Sequence, residues 1–390
     1  MDNPGVMTTD HSLTSALARH ISQAISDSGG WIGFDEFMAL ALYTPGLGYY
    51  ANDSTKFGSL PYATQGDTPA PGSDFVTAPE MTPLFGQTLA AQVAQALQVT
   101  QTAEVWEFGA GSGALALQLL DRLAALGQPL TRYTIVDLSG SLRARQQQTL
   151  EKYADRVRWV SELPDSLQGV VVGNEVLDAM PVKLLVRTGG VWHERGVALA
   201  ASGPLPPAEA APTLVWRDIP TALRPPLEPP GEHDYLTEIH PQAESFVRTL
   251  GDKLSAGALF FIDYGFPEAE YYHVQRHMGT VMCHRAHRSD TDPLADVGLK
   301  DITAHVNFTG IALAAQDADL GVLGYCTQAR FLMNCGLLNR LEEATTKVRV
   351  QAQKLIMEHE MGELFKVIGL FKGEPWDALG FAQGDRTDRL

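Results

Sequence analysis

The chain has 390 residues, 45% of them hydrophobic and 19% charged, with a formal net charge of −17. This describes a globular protein with a substantial core, in one elaborated domain or two, and its acidic field argues against a nucleic-acid partner. No apolar run is long enough to cross a bilayer, and the N-terminal stretch reads as neither a secretory signal nor an Arg-rich leader. Cys283, Cys326 and Cys335 are too few and scattered for a disulfide framework or a four-cysteine metal site, so the expectation is a reduced, cytoplasmic protein without a membrane partner.

Leu13, Leu17, Ile21 and Ile25 recur at helical spacing, as do Phe34, Phe37, Met38 and Ala41. Residues 44–75 are dense in Gly, Pro, Asp and Ser and predict an extended connection. Thr82-Pro83 then opens another helix, a hydroxyl followed by proline at the first helical position. Residues 1–100 are therefore expected to form an N-terminal helical segment with a long loop.

From Glu104 the pattern changes to strand–helix alternation. Strands are expected at VWEFG, RYTIVDL, RVRWV, GVVVGN and GALFFIDYG, with helices over residues 114–126, 141–154 and 241–254. Residues 183–199 read as a hairpin around Gly189-Gly190, and the proline-rich stretch 201–231 as an irregular excursion. VLGYCTQARFL and FKVIGLFKG are the last strand candidates, separated by a helical stretch over roughly 329–361 that either packs on the core or pairs two subunits as a homodimer. The expected fold is α/β over 101–390, with insertions near 201–240 and 266–318.

The run Glu107-Phe108-Gly109-Ala110-Gly111-Ser112-Gly113 stands directly after a strand and before a helix. Glycines there let a ligand approach the main chain, and the helix N-terminus offers free N–H groups. Asp137 ends the next strand, where a carboxylate can accept from both hydroxyls of a ribose. Gly109, Gly111 and Ala114 with Asp137 also satisfy the looser dinucleotide fingerprint, so a nucleotide-dependent oxidoreductase stays open at this point. Glu107 two residues before the first glycine gives the E-x-G-x-G pattern of class I methyltransferases, where the acid can face the ammonium group of S-adenosylmethionine. The last two strand candidates can supply the antiparallel hairpin that closes the seven-stranded, Rossmann-like sheet of that class.

A second constellation, Gly173-Asn174-Glu175-Val176-Leu177-Asp178-Ala179-Met180-Pro181, ends the fourth strand, on the edge where open α/β sheets bind ligands. Asp263 and Tyr264 end the fifth strand and are expected to face the same crevice as substrate contacts. His273, His277, Cys283, His284 and His287 lie close in sequence, with the first two spaced to share a helical face. Gly279-Thr280 breaks that helix, so the segment reads as a substrate-side loop with His284 as a contact, and no metal site is expected.

The chain resembles the MidA-type methyltransferases along nearly its whole length. The resemblance is carried by YTPGLGYY, GSDFVTAPEMTPLFG, EFGAGSG, NEVLDAMPV, FIDYG, GTVMCHRAHR, GLKDITAHVNF and TQARFL. It implies a class I methyltransferase sheet with added helical segments, S-adenosylmethionine as cofactor and, from the family's eukaryotic member, an arginine of a protein as acceptor. The family's glycine loop maps onto Gly109, Gly111 and Gly113, and its ribose acid onto Asp137, with Leu138 beside it. Its cofactor-covering segment maps onto Phe75, Thr77, Pro79 and Glu80. Asn307 departs from the acid usual in that family stretch.

Methyl transfer is an in-line displacement, so the protein must align nucleophile and methyl and exclude water. A guanidinium nucleophile also needs carboxylates to hold it and localise its charge, which planar bidentate pairing supplies. Glu175 and Asp178, with the Asn174 amide, are the expected catalytic groups. A non-catalytic assembly factor that binds the cofactor while gripping a partner protein is the competing reading.

Overall fold

Seven strand segments, each rich in β-branched and aromatic residues, form the central sheet: β1 (Glu104–Phe108), β2 (Arg132–Val136), β3 (Val157–Val160), β4 (Leu167–Asn174), β5 (Leu254–Phe266), β6 (Gly321–Thr327) and β7 (Phe365–Lys372). The computed structural model describes residues 4–52, 62–65, 68–71, 77–137, 140–201, 212–285 and 288–390. The strand order is 3-2-1-4-5-7-6, with β1 to β5 parallel and β7 antiparallel to both neighbours. This is the Rossmann-like sheet of class I methyltransferases, closed by the expected terminal hairpin. A two-residue strand, Val306–Asn307, extends the end of β5 in parallel.

Near-continuous burial of β4 and β5 fits central parallel strands covered on both faces. On one face, Val105, Tyr133, Ile135, Val170, Val172, Phe260 and Ile262 pack with the apolar stripes of helices α1 (Leu84–Val99) and α2 (Ala114–Ala125). On the other, Phe108 and Phe261 meet Phe246 edge-on, at 5.0 and 6.0 Å between ring centroids.

The chain divides into two compact units. One comprises residues 55–178, 243–267 and 305–390 and holds this sheet; the other comprises 1–54, 179–242 and 268–304. The division differs from a boundary at residue 100: α1 packs its apolar face in the sheet unit, while segments 179–242 and 268–304 group with the helices Pro4–Asp27 and Phe34–Tyr43. The second unit is built on antiparallel strands Lys183–Thr188, Val191–Leu199, Leu214–Pro220 and Tyr235–Ile239, with Ile32–Gly33 added to Val191–Leu199. The expected hairpin turns on Gly189-Gly190, both with positive φ (57° and 78°), as a two-residue turn requires.

Two expectations are corrected. The stretch 201–231 is not wholly irregular, because LVWRDIP pairs along Val191–Leu199, with its proline at the strand end where a missing N–H is tolerated. The stretch 329–361 is three short helices, Gln328–Asn334, Leu337–Glu343 and Thr346–Gln353, followed by a π-turn. It breaks at Gly336, which takes a left-handed φ of 88°. His273 and His277 lie after the helix Glu268–Tyr271 and outside any helix, as the reading of this segment as a loop expects.

Candidate active site at the carboxyl edge of the sheet

Parallel register brings Phe108, Val136, Gly173 and Phe261 to the same level of the sheet. The segments that follow, 109–113, 137, 175–178 and 263–264, therefore emerge along one edge.

The glycine loop is a cradle whose only side chains are the small ones of Ala110 and Ser112. Gly109 and Gly113 take φ of 63° and 86°, a region that a Cβ disfavours, and a methyl on Gly109 would stand 3.0 Å from Val176 Cγ2. Gly111 also has positive φ. Gly113 precedes α2, whose first N–H groups lack intrahelical partners. Ser112 Oγ donates to Glu80 Oε1, and Gln118 Nε2 donates to Pro79 O at 2.8 Å, so the short helix Ala78–Met81 is pinned onto α2. Thr77 begins that helix, its carbonyl accepting from the N–H groups of Glu80 and Met81. Asp137 directly follows β2, half-buried, and Gln146 Nε2 donates to its Oδ2 at 2.7 Å. Leu138 and Phe75 lie outside the described residues. A loop of glycines and small residues, helix N–H donors and a carboxylate at the end of the next strand fit a nucleoside-bearing ligand such as S-adenosylmethionine.

Glu107 is used differently from the expectation. Its carboxyl is 1% exposed on the helix-packed face and accepts from Tyr133 Oη at 2.6 Å. Burial pushes its pKa up to about 8, with Asp137 adding to the rise and the Tyr133 hydrogen bond opposing it.

At the end of β4 three carboxylates converge. Glu175 has a left-handed φ of 54°, an uncommon conformation for a residue with a Cβ and one that clusters at functional sites. Asn174 Nδ2 donates to Glu175 Oε1 at 3.0 Å, and Glu175 N donates to Ile262 O at 2.9 Å, tying the turn to β5. Asp178 is buried. Asp263, expected to touch substrate, is instead 1% exposed and anchors the turn. Its Oδ2 accepts from the N–H groups of Val176, Leu177 and Asp178 at 3.1, 2.9 and 3.3 Å, and its Oδ1 from Tyr264 N at 3.0 Å. Burial, then the neighbouring Asp178 and Glu175 charges, hold the Asp263 carboxyl well above the usual range, against those N–H donors.

The Tyr264 ring packs edge-on against His305 and Phe365, at 5.2 and 5.3 Å. Asn307 is buried, and its Oδ1 accepts from Gly310 N at 3.3 Å to cap the helix Phe308–Asp317, a task an amide performs as well as an acid. His284 belongs to the other unit, on the strand Met282–Arg285, where burial lowers its pKa. Sequence reasoning missed Gln146, Tyr133 and Gln118, which belong to no motif and meet their partners only in the fold.

The family model described as "Putative S-adenosyl-L-methionine-dependent methyltransferase" matches residues 88–326, well over half of the chain. A solved structure from Burkholderia thailandensis with S-adenosyl-homocysteine bound is 46% identical, with a TM-score of 0.89 over 100% of this chain and 99% of its own. The protein arginine methyltransferase NDUFAF7 of Homo sapiens, a mitochondrial protein, is 26% identical over 91% of this chain and 83% of its length. Its Caenorhabditis elegans homolog, also mitochondrial, is 26% identical over 92% and 87%. These relatives correct the expectation of a cytoplasmic protein, because composition and cysteine count do not tell one aqueous compartment from another. Among the described residues no helix is long and apolar enough to cross a membrane.

Proposed function

The chain belongs to the MidA-type family of S-adenosylmethionine-dependent methyltransferases, and from that premise we propose that its acceptor is an arginine side chain of a protein. S-adenosylmethionine is its cofactor and, when bound, supplies a methyl group on an electrophilic sulfonium. The residues that would hold it are the loop Gly109–Gly113, Asp137 and the segment Thr77, Pro79 and Glu80.

The observation that carries the arginine reading is the convergence of Glu175, Asp178 and Asp263 at the strand ends beside the glycine cradle. Burial and then the Asp178 and Glu175 charges raise the Asp263 pKa, so the three carboxyls are close enough to disfavour one another's charge, and a cationic acceptor would relieve that repulsion. Asp263 accepts from backbone amides, and Glu175 and Asp178 are the carboxylates that meet the acceptor in this reading. A guanidinium matches them because it is planar, always charged and able to pair bidentately. Held this way, its charge is drawn toward the carboxylates and away from the nitrogen that attacks. That nitrogen must shed a proton on methylation, and the same carboxylate pair takes it. Asn174 orients Glu175, and the left-handed turn fixes the direction of its side chain. The names of the curated relatives, protein arginine methyltransferases, support the same reading.

The test is methyl transfer from radiolabelled S-adenosylmethionine to whole-cell lysate, followed by mass spectrometry of the labelled product. The expected result is label that precipitates with protein and resides in methylated arginine. Label confined to small molecules, or to lysine or carboxyl groups, contradicts the proposal. A folded, cofactor-binding protein that transfers no label supports the assembly-factor reading instead.

A further inference from the structure

Gln146 lies on the helix Gly140–Thr149 after β2 and is fully buried, although no motif marks it. Its amide makes three hydrogen bonds at once. Trp159 Nε1 on β3 donates to its Oε1 at 2.9 Å, while its Nε2 donates to Gly111 O at 3.0 Å and to Asp137 Oδ2 at 2.7 Å. Chemistry fixes the amide orientation: an indole N–H can only donate, so the oxygen must face it. A carbonyl and a carboxylate can only accept, so both amide hydrogens are consumed. The Gln146 Cα also lies 3.4 Å from where a Cβ on Gly113 would stand, and one turn later Thr149 Oγ1 donates to Ser112 O at 2.9 Å. This helix is thus the floor of the glycine loop, and Gln146 is the point where loop, acid and third strand are joined.

We propose that Gln146 is the positioning residue of the cofactor pocket. It sets the spacing between the Asp137 carboxylate and the glycine cradle, and it keeps that carboxylate an oriented acceptor for a vicinal diol. It acts through Asp137 and Gly111. No other side chain carries two hydrogens and one acceptor at this reach: methionine supplies no hydrogen, and a carboxyl supplies at most one and stands against a second acid.

The test uses the full chain with S-adenosylhomocysteine as probe, comparing wild type, Gln146→Glu and Gln146→Met by titration calorimetry between pH 6 and 8.5. Urea unfolding without ligand is run alongside. The charged and titratable groups around the introduced acid are Asp137, Glu107 with Tyr133 beside it, Glu80 at Ser112, and Arg143, whose guanidinium lies 5.9 Å from the Trp159 ring centroid. We expect Gln146→Glu to bind roughly tenfold or more weakly than wild type at pH 8.5, with the gap narrowing toward pH 6 as the two acids share a proton. Gln146→Met is expected to bind weakly at every pH. In turnover both variants raise the KM for S-adenosylmethionine while kcat at saturation stays near wild type, a split that a general loss of structure does not produce. Wild-type affinity in either folded variant, or a Gln146→Glu deficit that is constant across pH, overturns the proposal. Should Gln146→Glu not fold, the Met variant decides alone. No binding by wild type would overturn the cofactor assignment and this inference with it.

Discussion

Replacing Glu107 by Gln should flatten the dependence of stability on pH. In the native chain the Glu107 carboxyl, buried beside Tyr133, has its pKa raised from 4.5 to about 8. An acid with a raised native pKa binds more protons folded than unfolded. Its contribution is therefore fully present below pH 4.5 and is lost as pH rises through 8. The slope within that window is about 1.4 kcal/mol per pH unit, and the whole shift corresponds to roughly 5 kcal/mol. A glutamine keeps an oxygen to accept from Tyr133 and cannot ionise, so this share of the slope disappears. Urea unfolding at pH 5.5, 7 and 8.5 reads the difference directly. The variant should match or trail wild type at pH 5.5 and gain on it steadily toward pH 8.5. Parallel stability curves for the two proteins would refute the reasoning, because Glu107 would then titrate at its ordinary value.

Asp263→Ala leaves four backbone N–H groups without their acceptor and should cost about 3 kcal/mol or more in thermal unfolding. Asp263→Asn keeps one accepting oxygen and should cost less, whereas wild-type stability in the alanine variant would contradict the anchoring role. Gly109→Ala places a Cβ at positive φ and 3.0 Å from Val176 Cγ2. It should destabilise by about 1–2 kcal/mol and weaken S-adenosylhomocysteine binding, and unchanged calorimetric affinity would argue against the cradle.

Much of the sheet, and the strand edge that carries the candidate site, were legible because they rest on local signals. Glycines after VWEF, an acid after RYTIV and NEVLD after GVVVG each mark a strand end, and parallel strands bring such ends to one edge. What stayed hidden depends on partners far apart in sequence. The Glu107–Tyr133 pair forms across two strands, the three bonds of Gln146 reach two strands and a loop, and the use of Asp263 as an anchor needs the register of β4 with β5. Local pattern also misled. An unbroken helix over 329–361 ignores the left-handed turn at Gly336, and proline density around 201–231 masks Leu214–Pro220, which is a strand through its pairing along Val191–Leu199.

The convergence of Glu175 and Asp178 is tested most directly by Glu175→Gln and Asp178→Asn, in variants shown by calorimetry to bind S-adenosylhomocysteine as wild type does. Methyl transfer to protein arginine is then counted by mass spectrometry. Loss of a hundredfold or so in turnover, with cofactor affinity intact, is the result that carboxylate activation of a guanidinium predicts, on the order of 3 kcal/mol of transition-state stabilisation. Full turnover in both variants would contradict it.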